Sequence, residues 1–401
     1  MKKNKKTPKL RFSGYTDDWE QRKLTELSEK TFGGGTPKTS NESFWKGNIP
    51  WIQSSDLIEG SLFDVEPRKY ISQEAVDKSA TKLVQKNSVA IVTRVGVGKL
   101  AFMPFSYATS QDFLSLSVLK TEPQFTVYAL YKKLQSELNA VQGTSIKGVT
   151  KDELLAKEIM IPYYEEQEKI GSYLHSLDNL ITLHQRKLEK LQNMKKSCLQ
   201  KMFPKDGATV PEIRFSEFQG DWEERTLGSC FDERLESLPD GELLSVTIGS
   251  GIKKFSELDR HDNSNTDKSK YKRVCIGDIA YNSMRMWQGA SGRSPYEGIV
   301  SPAYTVVKPI GDIDTQFFAY MFKKKEIIHL FEINSQGLTS DTWNLKYPAF
   351  SKIVVRVPRN VEEQSRIARF LLELDELISC TEQEIEITKR MKKGCLQKMF
   401  V

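Results

Sequence analysis

Apolar residues recur at alternating steps of three and four along two long stretches of the chain, one near its centre and one near its end. This spacing is typical of the seam between paired helices. Over residues 164–203 it predicts one long helix that packs through Ile170, Leu174, Leu177, Ile181 and Leu188. In the second stretch the same edge consists of Ile367, Leu371, Leu374, Ile378 and Ile385. One such stripe usually marks only the core-facing side of a helix. Two matching stripes each supply a partner, so we predict that the helices pair within the chain.

A ten-residue sequence occurs twice. Residues 194–203 return as residues 391–400 with a single difference, Ser197 against Gly394, at an offset of 391 − 194 = 197. Such a period is far too long for a solenoid repeat, so it indicates two copies of a large module.

A second repeat lies near the start of each copy. Residues 8–20 recur in part as residues 211–223, at an offset of 211 − 8 = 203. The segments between the repeats, 24–162 and 227–358, barely resemble each other. The two copies are thus similar at their ends and different in their middle segments. This pattern predicts an internal pseudo-two-fold repeat, in which a shared scaffold carries two different recognition domains.

The two middles are predicted to mix helices and strands. Short apolar runs predict strands, and longer periodic runs predict helices. The predicted strands cover residues 88–94, 113–119, 274–282 and 303–307, and the predicted helices cover 125–138 and 314–331. A short strand and a proline also precede each long helix, at 159–162 and 354–358.

Composition narrows the class of protein. A length of 401 residues favours two or more domains, and 38% hydrophobic residues are typical of a globular chain. We find neither an apolar run long enough for a bilayer nor a signal peptide, so we expect a cytoplasmic protein without a membrane partner. Five scattered cysteines without a Cys-x-x-Cys motif indicate reduced thiols. The net charge of +6 permits a polyanionic partner without requiring one.

The sequence lacks the motifs of phosphate-binding loops, zinc sites, adenine methyltransferases and nucleases. Residues 33–38 are glycine-rich, but Pro37 follows the threonine and favours a turn over a phosphate-binding helix start. The four histidines lie far apart without the spacing of zinc ligands. The run 301–304 lacks the polar residue and second proline of an adenine methyltransferase, and Pro239-Asp240 has no nuclease partner motif before residue 280. We therefore expect no catalysis, no metal and no cofactor in this chain.

Several motifs together resemble the specificity subunit of type I restriction–modification enzymes, over nearly the whole chain. The most specific are Gly-Gly-Thr-Pro at 34–37 followed by Ile-Pro-Trp-Ile at 49–52, and the run 162–167 that leads into the long helix. Residues 301–304 and 337–340 are similar to parts of that family's second domain. The resemblance implies an α+β fold, with two target-recognition domains of mixed structure joined by two long helices in an antiparallel coiled coil.

The domain boundaries predicted on this basis are 1–163 for the first recognition domain, 164–205 for the central helix, 206–359 for the second recognition domain and 360–401 for the final helix. The resemblance also implies that each domain recognises one half of a bipartite double-stranded DNA site. The helices would set the gap between the halves.

The implied partners are double-stranded DNA, two methyltransferase subunits and two restriction subunits. The complex would combine adenine-N6 DNA methylation with ATP-dependent cleavage. S-adenosylmethionine, ATP and Mg²⁺ are expected in those partner subunits.

Base recognition requires hydrogen-bonding or cationic side chains on rigid loops, positioned by phosphate contacts. Arg94 and Lys99 flank a glycine-containing turn after a predicted strand, and residues 109–112 resemble a loop at the same place in the family. An alternative is that Arg94 and Lys99 are ordinary solvated charges. In the first domain we predict DNA contacts at Lys38, Arg94, Lys99, Gln111, Ser145 and Lys147.

In the second domain a similar strand end carries polar and cationic residues. Trp343 is more often a core residue than a base-stacking one, and Lys253-Lys254 would either bind phosphate or face water. The DNA contacts predicted here are Asn282, Arg285, Arg293, Ser340 and Asn344.

Two other functions remain open from the sequence. A free-standing DNA-binding regulator would need no methyltransferase partner, so co-purification of a second chain separates the two hypotheses. A structural coiled-coil scaffold would show no salt-sensitive DNA binding.

Overall fold

The computed structural model describes residues 7–140, 148–205, 207–249, 251–259, 261, 264–340 and 342–401. The chain forms two compact units. The first comprises Met1–Gln185 and Gln383–Val401, and the second comprises Arg186–Glu382. Each unit therefore combines one of the divergent middles with parts of both long helices. The four-segment division given above stays a prediction.

In the first unit, strands β1 to β9 lie at Glu20–Lys23, Ser28–Gly33, Ile49–Ile52, Lys69–Ile71, Ser88–Val92, Leu100–Met103, Ala108–Thr109, Phe113–Leu119 and Glu158–Ile161. Helices α1 to α4 lie at Gln73–Lys78, Pro123–Ala140, Lys151–Leu155 and Tyr164–Lys201, the last of which continues into the second unit.

In the second unit, strands β10 to β19 lie at Glu223–Thr226, Phe231–Glu233, Leu244–Thr247, Gly251–Lys254, Lys272–Val274, Ile279–Asn282, Ser291–Arg293, Gly298–Val300, Tyr304–Pro309 and Val354–Val357. Helices α5 to α9 lie at Leu227–Cys230, Thr315–Met321, Lys325–Ile333, Tyr347–Phe350 and Val361–Lys398. No helix in the described part of the chain is long and apolar enough to span a membrane.

Both units build their central sheet in the same order, although their middle sequences differ. The sheet of the first unit runs β2-β8-β5-β6 and that of the second runs β11-β18-β15-β16, with every neighbouring pair antiparallel. A two-stranded sheet, β1-β9 or β10-β19, leads into each long helix. The units differ outside this frame, where the first adds β4-β3-β7 and the second adds β12-β13 and β14-β17.

The two cores use side chains at equivalent positions. Each combines a tryptophan near the start of the copy, two aromatic residues of a middle helix, and the apolar edge of a long helix. In the first unit these are Trp19, Phe125, Tyr128, Ile170, Leu174 and Phe400. In the second they are Trp222, Phe317, Tyr320, Ile367, Leu371 and Phe203.

An ion pair fixes the beginning of each long helix. In the first unit Arg11 donates from Nε and Nη2 to the two carboxylate oxygens of Glu166, at 2.7 and 2.8 Å. In the second, Arg214 makes the same pair of bonds to Glu363, both at 2.8 Å. Both glutamates are buried. The repeated sequence thus encodes a repeated contact.

The glutamine that follows each of these glutamates joins the helix to its domain. Gln167 donates from Nε2 to the carbonyl of Pro162 at 2.8 Å, and its Oε1 accepts the backbone N–H of Glu122 at 3.0 Å. Gln364 makes both equivalent bonds in the second unit. The Glu-Glu-Gln motif, residues 165–167 and 362–364, therefore secures the junction between the divergent middle of each unit and its long helix.

Within the first unit, α4 and α9 pack antiparallel. Asp178 forms an ion pair with Lys392 and accepts a hydrogen bond from the Tyr128 hydroxyl at 2.5 Å. Further along α4, His184 lies 3.6 Å from Glu384. Residue numbers rise along one helix as they fall along the other, which confirms the predicted orientation.

The second unit repeats this arrangement. Asp375 on α9 pairs with Lys195 on α4 and accepts a hydrogen bond from the Tyr320 hydroxyl at 2.8 Å. Each unit therefore joins its two helices and its divergent middle through one aspartate.

The predicted packing edge is most buried near the start of each helix. Ile170, Leu174 and Leu177 belong to the first core, and Ile367, Leu371 and Leu374 belong to the second. Ile385 is buried, whereas Ile181, Leu188 and Ile378 are half-buried.

Two predicted elements need correction. The helix predicted over 314–331 is two helices, because the chain turns at Phe322–Lys324 between α6 and α7. The strand predicted over 274–282 is parts of two strands, since a turn at Gly277, with φ of +92°, separates β14 from β15.

Candidate nucleic-acid interface

The Gly-Gly-Thr-Pro segment lies against the backbone of residues 109–111. A β-carbon on Gly34 would lie 1.8 Å from the carbonyl oxygen of Ser110, and one on Gly35 would lie 2.6 Å from the backbone of Ala80. The Trp51 indole N–H also donates to the carbonyl of Gly35 at 3.0 Å. This close approach requires glycine at both positions and holds the loop after β7 in place.

An open groove of ≈ 790 Å³ lies beside this segment and is lined by Arg94, Gln111 and Lys151. Arg94 is exposed on the turn after β5. Gln111 accepts a hydrogen bond from the Thr36 hydroxyl at 2.6 Å, which orients its amide. The groove thus brings together two predicted DNA contacts, Arg94 and Gln111, on supported loops.

Backbone hydrogen bonds support this turn from both sides. The N–H of Thr93 donates to the carbonyl of Asp112, and the N–H of Val149 donates to the carbonyl of Thr93, both at 2.7 Å. The loops that carry Arg94, Gln111 and Lys151 are therefore tied to one strand end.

The other predictions in the first unit do not meet at this groove. Lys38 is exposed, but it is not among the groove-lining residues. The Lys99 ammonium donates to the carbonyls of Leu57 at 3.0 Å and Ser54 at 3.4 Å, so it anchors a loop of its own domain. Ser145 and Lys147 lie outside the described residues.

The second unit has an open groove of ≈ 710 Å³, lined by Asn282, Arg285 and Lys253 among others. Arg285 is exposed. The side-chain oxygen of Asn282 accepts the backbone N–H of Met284 at 3.1 Å, which leaves its NH₂ group available to donate. Two predicted contacts and the lysine at 253 therefore share one groove.

A hairpin packs against the turn that carries Asn282 and Arg285. Trp343 lies edge-on to Trp287 with ring centroids 5.3 Å apart, and the N–H of Leu345 donates to the carbonyl of Ser283 at 2.8 Å. On this hairpin Ser340 is exposed and Asn344 is half-buried. Neither lines the groove.

Arg293 lies away from the groove. It is half-buried on β16, and its Nε donates to the hydroxyl of Thr315 at the start of α6, at 3.0 Å. This hydrogen bond to Thr315 gives Arg293 a structural role within its own unit.

Besides Lys253, two lysines at or beside these grooves were not among the predicted contacts. Lys151 lies within a Thr-x-x-Glu capping box, in which Thr150 Oγ1 accepts the N–H of Glu153 at 3.2 Å. That sequence is a recognisable helix start, so the signal was present. Lys323 does not line the second groove, and its contacts depend on two distant segments, at residue 248 and at residues 289–291.

Comparisons with known proteins give the following. The family model for the type I restriction modification DNA specificity domain matches residues 16–193. The type I restriction enzyme MjaIX specificity subunit of Methanocaldococcus jannaschii is 30% identical over 182 residues, which cover 44% of this chain and 42% of that protein. The EcoR124I/EcoR124II specificity subunit of Escherichia coli is 31% identical over 172 residues, 40% of this chain and 41% of that protein.

The matched region thus spans about two fifths of the length of these relatives. The crystal structure of a type I restriction–modification S subunit from M. genitalium superposes with a TM-score of 0.63 at 17% identity, covering 98% of this chain and 99% of that one. This likeness extends over both units and establishes the fold.

Proposed function

We propose that this chain recognises a bipartite double-stranded DNA sequence for a restriction–modification complex. Residues 16–193, which match the family model for the type I restriction modification DNA specificity domain, support this proposal. The observation that carries the proposal is a repeated frame with two different grooves. Arg94 and Gln111 line one groove, and Asn282 and Arg285 line the other. Different linings on one frame suit the recognition of two different half-sequences.

The side chains in each groove suit base edges and phosphates. Arginine pairs bidentately with guanine, and glutamine or asparagine pairs with adenine. Each groove also has a lysine, Lys151 or Lys253, which suits a phosphate. We assign base contacts to Arg94, Gln111, Asn282 and Arg285.

The chain acts in this proposal as a non-catalytic subunit in the cytoplasm. Its partners are methyltransferase and restriction subunits, two of each, which supply S-adenosylmethionine-dependent adenine methylation and ATP- and Mg²⁺-dependent cleavage. The relatives named above support the assignment because they are specificity subunits of type I restriction enzymes. No observation favours the free-standing regulator.

The test is selection of preferred sequences from a random DNA pool by the full chain assembled with its partner subunits. Arg94→Ala is expected to relax one position in one half-sequence at a cost of about 1–3 kcal/mol, and Arg285→Ala is expected to do the same in the other half. Lys86→Ala, an exposed lysine that does not line the first groove, is the control and should leave both halves intact. Unchanged sequence preferences in both arginine variants would refute the proposal.

A further inference from the structure

Lys323 lies in the turn between α6 and α7, with its ammonium group against three backbone carbonyls. Its Nζ donates to the carbonyls of Gly289 and Ser291, both at 2.7 Å, and to that of Ile248 at 3.1 Å. Three donors on one flexible stem match three acceptors that converge on one point. The described partners of this lysine are all carbonyl oxygens.

The three carbonyls belong to two segments that both contribute lining residues to the second groove. Ile248 belongs to the turn between β12 and β13, which forms one wall. Gly289 ends the short 3₁₀ turn Met286–Gln288, and that turn follows Arg285 in the other wall. A single side chain, which does not itself line the groove, therefore joins the two walls.

The site is specific to the second unit. Tyr320 and Tyr128 are equivalent residues, since each donates its hydroxyl to the aspartate of a long helix. Three residues further on, Lys323 corresponds to Tyr131, which is half-buried and uncharged. The frame shared by the two units therefore does not require a cation here.

We propose that Lys323 is a positioning residue for DNA recognition by the second unit, because its ammonium group fixes the wall that carries Asn282 and Arg285 against the wall at residues 247–249. This inference rests on the proposed function. In this proposal Lys323 itself contacts no DNA. Substitution of Lys323 should therefore affect recognition only of the half-sequence that the second groove binds.

The charge of Lys323 depends on pH within an accessible range. Burial, together with the nearby positive charge of Lys195, lowers the pKa of Lys323 to about 8. Lys195 is itself paired with Asp375, which also accepts the hydroxyl of Tyr320. Lys323 is therefore charged with three donors at pH 7, and mostly neutral with two donors at pH 9.

The test compares Lys323→Met, Lys323→Arg and the matched control Lys325→Met in the full chain assembled with its partner subunits. Lys325 is an exposed lysine at the first position of α7. Lys323→Met is expected to lower discrimination in the second half-sequence about tenfold or more and to leave the first half unchanged. Without DNA, amide hydrogen exchange should accelerate in both walls, at residues 247–249 and 285–291. Lys325→Met should change neither.

The pH profile separates positioning from a merely structural role. The ratio of affinities for matched and mismatched second half-sequences should fall between pH 7 and pH 9 in the unsubstituted chain. In Lys323→Arg it should stay constant, since guanidinium does not titrate there. Taking a ratio removes the pH effects common to all phosphate contacts.

The outcomes distinguish the two proposals. If Arg285→Ala alters the second half-sequence and Lys323→Met does not, the positioning role is overturned and the proposed function stands. If Arg285→Ala leaves that half unchanged, the second groove is not a DNA-recognition surface, and the role of Lys323 falls with it; the proposed function as a whole falls only if Arg94→Ala also leaves its half unchanged. A profile that falls equally in the Lys323→Arg variant would also overturn the role of Lys323.

Discussion

Removing the ion pair between the two long helices is expected to cost more free energy of unfolding in the first unit than in the second. The side chains of Asp178 and Lys392 are 23% and 14% exposed, whereas those of Asp375 and Lys195 are 36% and 30% exposed. Exposed pairs contribute about 0–1 kcal/mol, and breaking a buried pair costs about 3–5 kcal/mol. Both pairs lie between these limits, so we expect coupling energies of about 2 kcal/mol in the first unit and about 1 kcal/mol in the second.

A double-mutant cycle for each pair measures this coupling. Asp178→Asn keeps the shape of the side chain and its acceptor for Tyr128, and Lys392→Met keeps the apolar stem. Burial and the Asp178 carboxylate raise the pKa of Tyr128 above its ordinary value, so its hydroxyl remains a donor throughout.

The measurements are urea denaturation of the full chain and amide hydrogen exchange along α4, which reports on each unit separately. The cycle of Asp375→Asn and Lys195→Met is the internal comparison. Coupling that is absent from both units, or larger in the second, would refute the argument that exposure decides the contribution of these pairs.

Two further stability predictions concern the repeated frame and the first groove. Gly34→Ala should lower the free energy of unfolding by about 1–3 kcal/mol, since its β-carbon would collide with the Ser110 carbonyl. Gly33→Ala, with open space around it, is the control. Equal effects of the two variants in urea denaturation would contradict the argument. Glu166→Gln should lower the free energy of unfolding by about 3–5 kcal/mol, because it breaks the buried pair with Arg11. Glu20→Gln breaks an exposed pair with Arg22 and should leave stability almost unchanged. Calorimetry that ranked the two variants in the opposite order would contradict this.

The repeated parts of the fold could be predicted from the sequence because their signals are local. The apolar stripe that includes Ile170 and Leu174 has helical spacing over many turns. A matching stripe in the second copy indicates where the helix begins and ends. The break between α6 and α7 has no such signal. It accompanies contacts of Lys323 with segments far away in the sequence.

The candidate site was predicted less completely. Arg94, Gln111, Asn282 and Arg285 line the grooves and lie at or shortly after strand ends, which the sequence marked. Lys99 directly precedes β6 and Arg293 ends β16, yet each side chain turns back onto its own domain. The direction of a long side chain depends on acceptors that tertiary packing supplies, and composition and spacing do not reveal them.

The contacts at the junction between domain and helix have an evolutionary consequence. The backbone of Glu122 and the hydroxyl of Tyr128 both lie within the divergent segment, yet they bond to Gln167 and Asp178 outside it. A foreign segment that recombination placed at 24–162 would inherit the frame only if it brought a free N–H and a hydroxyl to those two places. Together with Phe125 in the core and β9 paired to β1, these two contacts constrain such a segment, whereas the residues that line its groove could vary freely. Exchange of segments would then bring new groove linings onto an unchanged frame.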